Sequence, residues 1–591
     1  MTMNQDSRTQ AAKCLLAVNQ LPGHHFEEIR HPVNGLQRHL ERIQRKILRM
    51  LWPNSTLNNH VRGADVAQDY LLEALFQHST VAAFYLAVHE SKVDDFKRWA
   101  HEWSNFYGSR PIEVVDASLL VGKSNDILSP DIWLDVTGVS YLGPRIRDEC
   151  SSTIYPGIAV QHGLSNHAHL YDKYLRLLMT PSYACDALVC TTNTSKRALE
   201  NLLNTVSESF LAQFGASLKY EGSLLSIPLC IDTEKYRPHD KKEARRLQSI
   251  SPDAIVLLYI GYLSPVKADL IPLFLVLRSV VRKHPEQPIK LIIAGTGSNT
   301  YCNFLRTALH ELGIAKHVTI MFEVSDKEKQ NLLASADIFV APCESLQESF
   351  GLTPVEAMAS GVPQIVANWD GYRETVIDGV TGFLIPTFWG KCDEMFSGTG
   401  ELLGWVHDHV LIAESISFNY GAMEEAIDTL IRCPSLREDM ARNSRERALQ
   451  EYSYRSVAKR YDDLFRESIR ASRSLTAPPK SKKVDHVSYY DVFQHYASSS
   501  ITDDCILRRS SRETLPVQHL IHMLRKEIGI DAFDCNMITK IMECIPASDA
   551  GSGGRIRVRD LFAAENIRDV SAMEIRRHIL WMIKHGQLDV V

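Results

Sequence analysis

Apolar residues fall along this chain in short uninterrupted runs, not in one long stripe. Val81–Val88 reads VAAFYLAV, and Ile112–Val115, Ile132–Val136, Gly157–Gln161, Ala187–Thr191 and Ser223–Pro228 follow it, separated by polar or helix-periodic stretches. Runs of this length suit strands covered on both faces, which occur in parallel sheets wrapped by helices. A second series begins near Ser251, with Ile255–Ile260, Ile289–Ala294, Val318–Phe322, Asp337–Ala341 and Gln364–Ala367. The pattern predicts two Rossmann-like, doubly wound α/β domains facing a cleft.

Five segments follow from these runs. Residues 1–45 are expected to be a helical extension, 46–240 the first Rossmann-like domain and 241–470 the second. The second ends in the strongly helical stretch Met423–Ile469, after an irregular insertion over 387–420 that carries Trp389 and Trp405. A Ser/Pro/Lys-rich run, ASRSLTAPPKSKK, opens a linker over 471–486. Residues 487–591 read as a small, mainly helical domain. There, Pro516–Ile528 is a predicted helix with Pro in its first turn, and Ser571 to Glu574 is a capping box. Ile575, Ile579, Leu580, Met582 and Ile583 give the helix after that box an apolar face, Gly586 stops it, and a short strand closes the chain. Such a winged-helix-like module suits a protein partner first, with a structural cap next and, on the local run of Arg555, Arg557, Arg559, Arg576 and Arg577, nucleic acid last.

Length and composition narrow the field. At 591 residues the chain exceeds one ordinary core and suits about three domains at ~150–200 residues each. Its 45% apolar and 23% charged residues are globular values, and a net charge of −6 gives no global basic field, so nucleic acid is not the default partner. No run approaches about 18 apolar residues, the length of a membrane-crossing helix, and the first residues lack an apolar signal core, so a cytoplasmic protein is expected. One local exception is basic. Arg30, Arg38, Arg42, Arg45, Lys46 and Arg49 face a single acid, Glu41, in a helical stretch that reads as a solvated face or as a peripheral contact with an anionic membrane. The 12 cysteines show no metal spacing and read as buried hydrophobes.

The chemistry concentrates in one stretch. Glu348 and Glu356 stand eight residues apart, with Ser349, Phe350 and Gly351 in the loop after a strand and Pro354 in the first turn of the next helix. A helix N-terminus aimed at a cleft presents unpaired N–H groups suited to a diphosphate. One carboxylate can meet a sugar while the other accepts the two hydroxyls of a ribose.

The run ADIFVAPCESLQESFGLTPVEAMASGVPQIVANWDGYRETVIDGVTGFLIP resembles the donor-binding core of the retaining family-4 glycosyltransferases of the GT-B fold. The family's E-x7-E pair is met by Glu348 and Glu356. Its downstream G-G-x-x-E run is met by Gly371-Tyr372-Arg373-Glu374 with Asp378-Gly379 and Gly382, and its glycine strand end by Ala294-Gly295-Thr296-Gly297. Its interdomain phrase appears as Ile227-Pro228 through Asp232 to Tyr236-Arg237-Pro238, and its crossing helix as the run ending YRSVAKRYDDLF. The resemblance covers roughly 46–470 and is strongest over 223–385.

This resemblance implies transfer of a sugar from a UDP- or GDP-sugar to an acceptor with retention at the anomeric carbon, without a cofactor and without a metal. It makes Glu348, His162 and Lys267 the catalytic set. Gly261, Tyr262, Gly295, Gly297, Val324, Ser349, Phe350, Gly351, Leu352 and Glu356 would hold the donor, and Gly63 would stand in the acceptor and phosphate loop. Asn166, His167 and His169 follow His162 closely and could line the acceptor side, but each reads first as an ordinary loop residue. Two departures stand out. Arg62-Gly63 keeps one glycine where the family has two, and Tyr262 occupies the place of an arginine that neutralises the leaving diphosphate. Arg62, Arg145 and Arg147 are the candidate replacement cations. If none serves, the alternative is a catalytically impaired scaffold that works through residues 487–591.

Overall fold

The computed structural model describes residues 13–17, 63–88, 93–107, 111–116, 130–136, 138, 141–151, 153–165, 170–391, 405–476, 490, 492, 494–512, 516–528, 533–546 and 554–591. The basic stretch Arg30–Arg49, Arg62, Asn166, His167 and His169 lie outside them. The chain divides into two compact units, Met1–Val88 with Asp95–Ala477, and His89–Asp94 with Pro478–Val591.

In the first unit, seven parallel strands form one sheet. They are β1 (Lys13–Ala17), β2 (Ala83–Val88), β3 (Ile112–Asp116), β4 (Ile132–Asp135), β5 (Gly157–Gln161), β6 (Ala187–Cys190) and β7 (Ser223–Ser226), in the order β3-β2-β1-β4-β5-β6-β7. β1 corrects the expectation of a helical extension over 1–45. Leu15 pairs with Tyr85 on one side and Trp133 on the other, so this segment is the middle of the sheet. Five residues without a β-branched side chain, opening on a lysine, carry too little signal to be read as a strand.

A second parallel sheet follows. Its strands are β8 (Ile255–Ile260), β9 (Ile289–Gly295), β10 (Val318–Phe322), β11 (Ile338–Ala341), β12 (Gln364–Ala367) and β13 (Gly382–Ile385), ordered β10-β9-β8-β11-β12-β13. All six residues of β8, IVLLYI, are buried, as a central strand sandwiched between helices requires. Leu257, Leu273, Phe274, Leu277, Leu291, Ile293 and Val340 fill the core on one face. The strand order reverses between β8 and β11, and the loops leaving those two strands open the crevice where α/β sheets bind ligands. The insertion expected to be irregular contains an antiparallel pair, β14 (Thr387–Trp389) with β15 (Ile416–Phe418), and the helix Trp405–Glu414 between them.

The helix Tyr454–Arg473 returns from the second sheet to pack on the helix Gly63–His78 of the first. Its Asp462 holds the two residues that follow that helix, accepting from the Ser79 hydroxyl at 2.5 Å and the Thr80 N–H at 2.8 Å. Tyr454 donates to the Glu73 carboxylate at 2.6 Å. Burial pushes the Glu73 carboxyl up to about 7, against the Tyr454 hydrogen bond.

The second unit has its own core of Leu507, Ile538, Ile541, Leu561, Ile575, Ile579 and Met582. Helices Val517–Ile528, Cys535–Cys544, Val558–Phe562 and Ala572–Lys584 accompany an antiparallel sheet of β16 (Ile506–Arg509), β17 (Arg555–Arg557) and β18 (Leu588–Val590), ordered β17-β16-β18. Ser571 caps the last helix by accepting from the Glu574 N–H. Five of the described arginines of this unit face its own acids. Arg508 and Arg512 stand 3.5 and 3.6 Å from Asp589, Arg557 and Arg559 meet Asp504, and Arg576 meets Asp503.

Candidate active site

Two loops frame the crevice of the second sheet. Gly261, at the end of β8, touches Gly295 at the end of β9. A Cβ on Gly295 would lie 1.8 Å from the Gly261 carbonyl oxygen, and its φ of 151° is one that only glycine adopts freely. The Leu263 N–H donates to the Thr296 carbonyl at 2.7 Å and the Ser298 N–H to the Leu263 carbonyl at 3.0 Å, which zips the two loops together as far as Gly297. At the neighbouring strand end, the Glu323 N–H donates to the Gly295 carbonyl at 2.8 Å, and Val324 follows it.

Lys267 lies on the β8 loop and Glu348 on the β11 loop, and their side chains form an ion pair. The Glu344 N–H and the Cys343 thiol both reach the Lys267 carbonyl, at 3.4 and 3.3 Å, so the two loops also meet through the backbone. Glu348 is 8% exposed. Its carbonyl accepts from the Gly371 N–H at 3.0 Å, which brings the Trp369–Gly371 turn to the same place. Asp370 in that turn has φ of 40°, and it stands directly before Gly371, where the G-G-x-x-E run has its first glycine. Burial pushes the Asp370 carboxyl up to about 7. Lys267 opposes that rise and Glu374 adds to it.

Glu356 occupies a different environment. Gly351 caps the helix Leu352–Ala359 with φ of 94°, and a Cβ there would strike the Tyr372 ring at 2.3 Å. One helical turn on, Glu356 is 1% exposed. Lys329, on the helix Asp326–Ser335, places Nζ 2.5 Å from Glu356 Oε2, and the Tyr70 hydroxyl lies 3.5 Å from Oε1. Tyr70 also reaches Tyr236 at 3.4 Å, and the Lys329 ammonium sits 5.3 Å from the centre of the Tyr236 ring.

The first sheet closes on these loops. The Thr191 and Thr192 hydroxyls donate to the Ser349 carbonyl at 2.8 and 3.0 Å, and the Ser349 hydroxyl donates to the His162 carbonyl at 2.8 Å. His162 Nε2 lies 2.7 Å from the Val136 carbonyl. A carbonyl only accepts, so this nitrogen carries the proton. Phe350 is buried edge-on against Tyr452, 5.6 Å between ring centres. His409 Nε2, from the insertion, lies 2.7 Å from the Ser165 carbonyl, just beyond His162.

The structure therefore gathers Gly261, Gly295, Gly297, Lys267 and Glu348 at one strand reversal and brings Ser349 against His162. Glu356 is bound into a separate polar cluster. Tyr262 is 45% exposed on the β8 loop. Arg147 does not supply a replacement cation. It is 2% exposed and forms a bidentate pair with Asp186, at 2.6 and 3.0 Å, with further bonds to the Tyr155 and Pro181 carbonyls. Sequence reasoning missed Lys329, Tyr70 and Asp370. Asp370 alone carried a signal, as the residue before Gly371 in the glycine run.

Residues 240–390 match the family described as glycosyl transferases group 1. Among curated proteins, the chain is 35% identical over 160 residues to D-inositol 3-phosphate glycosyltransferase 2 of Catenulispora acidiphila, covering 26% of this chain and 37% of that one. It is 28% identical over 251 residues to D-inositol 3-phosphate glycosyltransferase of Saccharomonospora viridis, covering 41% of this chain and 50% of that one. The chain thus spans half or less of the length of these relatives. Among solved structures, HepE of Anabaena in complex with UDP-glucose aligns with a TM-score of 0.45 at 14% identity, over 77% of this chain and 100% of that one. Sucrose-phosphate synthase from Thermosynechococcus elongatus aligns at 0.43 and 14%, over 78% and 100%.

Proposed function

We propose, for a chain whose residues 240–390 are a glycosyl transferases group 1 domain, that it moves a sugar from a nucleoside diphosphate sugar to an acceptor with retention of configuration. The observation that carries this reading is the Lys267–Glu348 pair at the reversal between β8 and β11, beside the Gly261–Gly295 contact. In this reading the incoming diphosphate takes the Lys267 ammonium. Glu348 is thereby released to accept hydroxyls of the transferred sugar. Lys267 and the N–H groups at the start of the helix Leu352–Ala359 stabilise the charge that grows on the leaving phosphate.

The bond from the anomeric carbon to the phosphate oxygen breaks, and a bond to the acceptor oxygen forms on the same face. The acceptor's proton passes to the leaving phosphate. His162 meets a sugar hydroxyl from the first domain, and Glu356 takes the ribose. Contacts between Ser349 and Thr191, Thr192 and His162 close the cleft and exclude water.

A second reading, a donor-binding scaffold with little turnover, draws on Tyr262 and Asp370. The phosphate site lacks one cation of the family pattern and gains one carboxyl beside Lys267. Thermal shift with UDP, GDP, ADP and their glucose conjugates separates the readings when paired with a test for nucleotide release. A ligand at ~100 times its dissociation constant adds about 2.7 kcal/mol of stability. A shift that shrinks in Glu356→Ala, with nucleotide released from the sugar conjugate, supports the transferase. A shift without release supports the scaffold, and no shift with any of them sinks both.

A further inference from the structure

We propose that Lys329 is a positioning residue for Glu356. It fixes Oε2 and so turns the carboxylate, leaving Oε1 as the atom offered to a ribose hydroxyl. This rests on the reading that Glu356 takes the ribose.

The argument starts from which partner belongs to which sheet. Glu356 and Lys329 lie on helices Leu352–Ala359 and Asp326–Ser335, both packed with the second sheet, and Nζ is 2.5 Å from Oε2. Tyr70 belongs to the helix Gly63–His78 of the first sheet, and its hydroxyl reaches Oε1 only at 3.5 Å, the outer limit of a hydrogen bond. The long Tyr70 contact is the one a ribose hydroxyl can displace from Oε1, while Oε2 keeps its ammonium on the same side of the cleft.

Glu356 is 1% exposed, and a buried polar group needs partners of its own, so Oε2 stays on its ammonium. Lys329 is itself fixed, with its side chain 15% exposed and its ammonium 5.3 Å from the centre of the Tyr236 ring. Lys235, the residue before Tyr236, pairs with Asp326 in the first turn of the same helix, which pins that helix to the chain between the sheets. The pair geometry is therefore set in advance of ligand.

The test compares ribose with 2′-deoxyribose. Affinities of UDP, GDP and ADP and of dUDP, dGDP and dADP are measured by calorimetry on the full chain, for wild type, Lys329→Met and Lys329→Arg. For the preferred base, wild type is expected to favour the ribose form by about 10-fold or more, the size of a hydrogen bond to a charged group. Lys329→Met is expected to lose that preference by weakening the ribose form while leaving the deoxy form unchanged. Lys329→Arg is expected to restore it.

If wild type does not distinguish the two sugars, the ribose role of Glu356 fails, and this proposal with it. If wild type distinguishes them and Lys329→Met does so equally, the ribose role stands and the Lys329 role is overturned. Equal weakening of both forms in Lys329→Met also overturns it, because that is the mark of a structural defect. Should Lys329→Met not fold, Lys329→Gln in the same comparison decides between these outcomes.

Discussion

Glu374 of the second sheet caps a helix of the first. One carboxylate oxygen accepts from both the N–H and the hydroxyl of Thr194, at 2.6 and 2.8 Å, and the other from the N–H and the amide of Asn193, at 2.9 and 3.0 Å. Asn193 and Thr194 open the helix Asn193–Phe214, whose own cap, Thr192, donates to Ser349. The helix start thus joins the donor-side loop at two points. Burial works against the charge on Glu374, yet the four hydrogen bonds prevail and hold its carboxyl below the ordinary value.

Replacing Glu374 with Ala is expected to lower stability by about 1–2 kcal/mol, the size of a lost helix cap, read as the urea midpoint. Because the folded value is depressed, the stabilisation is present above the unfolded carboxyl's pKa near 4.5 and disappears as pH falls through the folded one. A variant with an unchanged midpoint at pH 7 would show that the contact between the sheets contributes nothing.

Tyr262→Arg is expected to tighten binding of a nucleoside diphosphate about 10-fold or more, since a charge-assisted phosphate contact is worth ~1.5–3 kcal/mol. Tyr262 is exposed on the loop that carries Lys267, so the longer cation has room. Calorimetry on the variant checks this. Unchanged affinity would place that loop position away from the phosphate.

The Asp370 carboxyl, raised to about 7, is neutral below that value and a second anion beside Lys267 above it. Nucleoside diphosphate affinity is therefore expected to fall as pH rises through 7, and Asp370→Asn to abolish that fall. Stability follows the same sign. The folded chain holds this proton more tightly than the unfolded chain, whose value is near 3.8, so the contribution is full below about 4 and is lost as pH rises toward 7. A pH profile of affinity that is the same in both proteins would remove Asp370 from the site.

Much of the second sheet was legible because β8 and β11 are buried along their whole length and their apolar runs are unbroken. Lys267 and Glu348 were legible through order along the chain, as loops leaving adjacent strands. Lys329 was not. Its helix, DKEKQNLLAS, offers several charged side chains with nothing local to say which one meets Glu356, 27 positions later in the chain. Tyr70 was hidden for a similar reason, since a tyrosine in the apolar run YLLEALF reads as core until the partner across the cleft is known. Arg147 misled in the opposite direction. A cation after a strand suggests a phosphate, but a buried guanidinium needs a carboxylate, and Asp186 supplies it.

The central place of β1 sets the order in which the first sheet can assemble. Lys13–Ala17 emerges from the ribosome before either of its neighbours, and its pairing groups stay open on both edges until residues 83–88 and 132–135 have been made. The nascent chain therefore carries an unfinished sheet centre through much of the synthesis of its first half, a state exposed to wrong partners. Trimming the first 20 residues would remove no edge of the molecule. It would cut the sheet in two, leaving β2–β3 and β4–β7 with no strand between them.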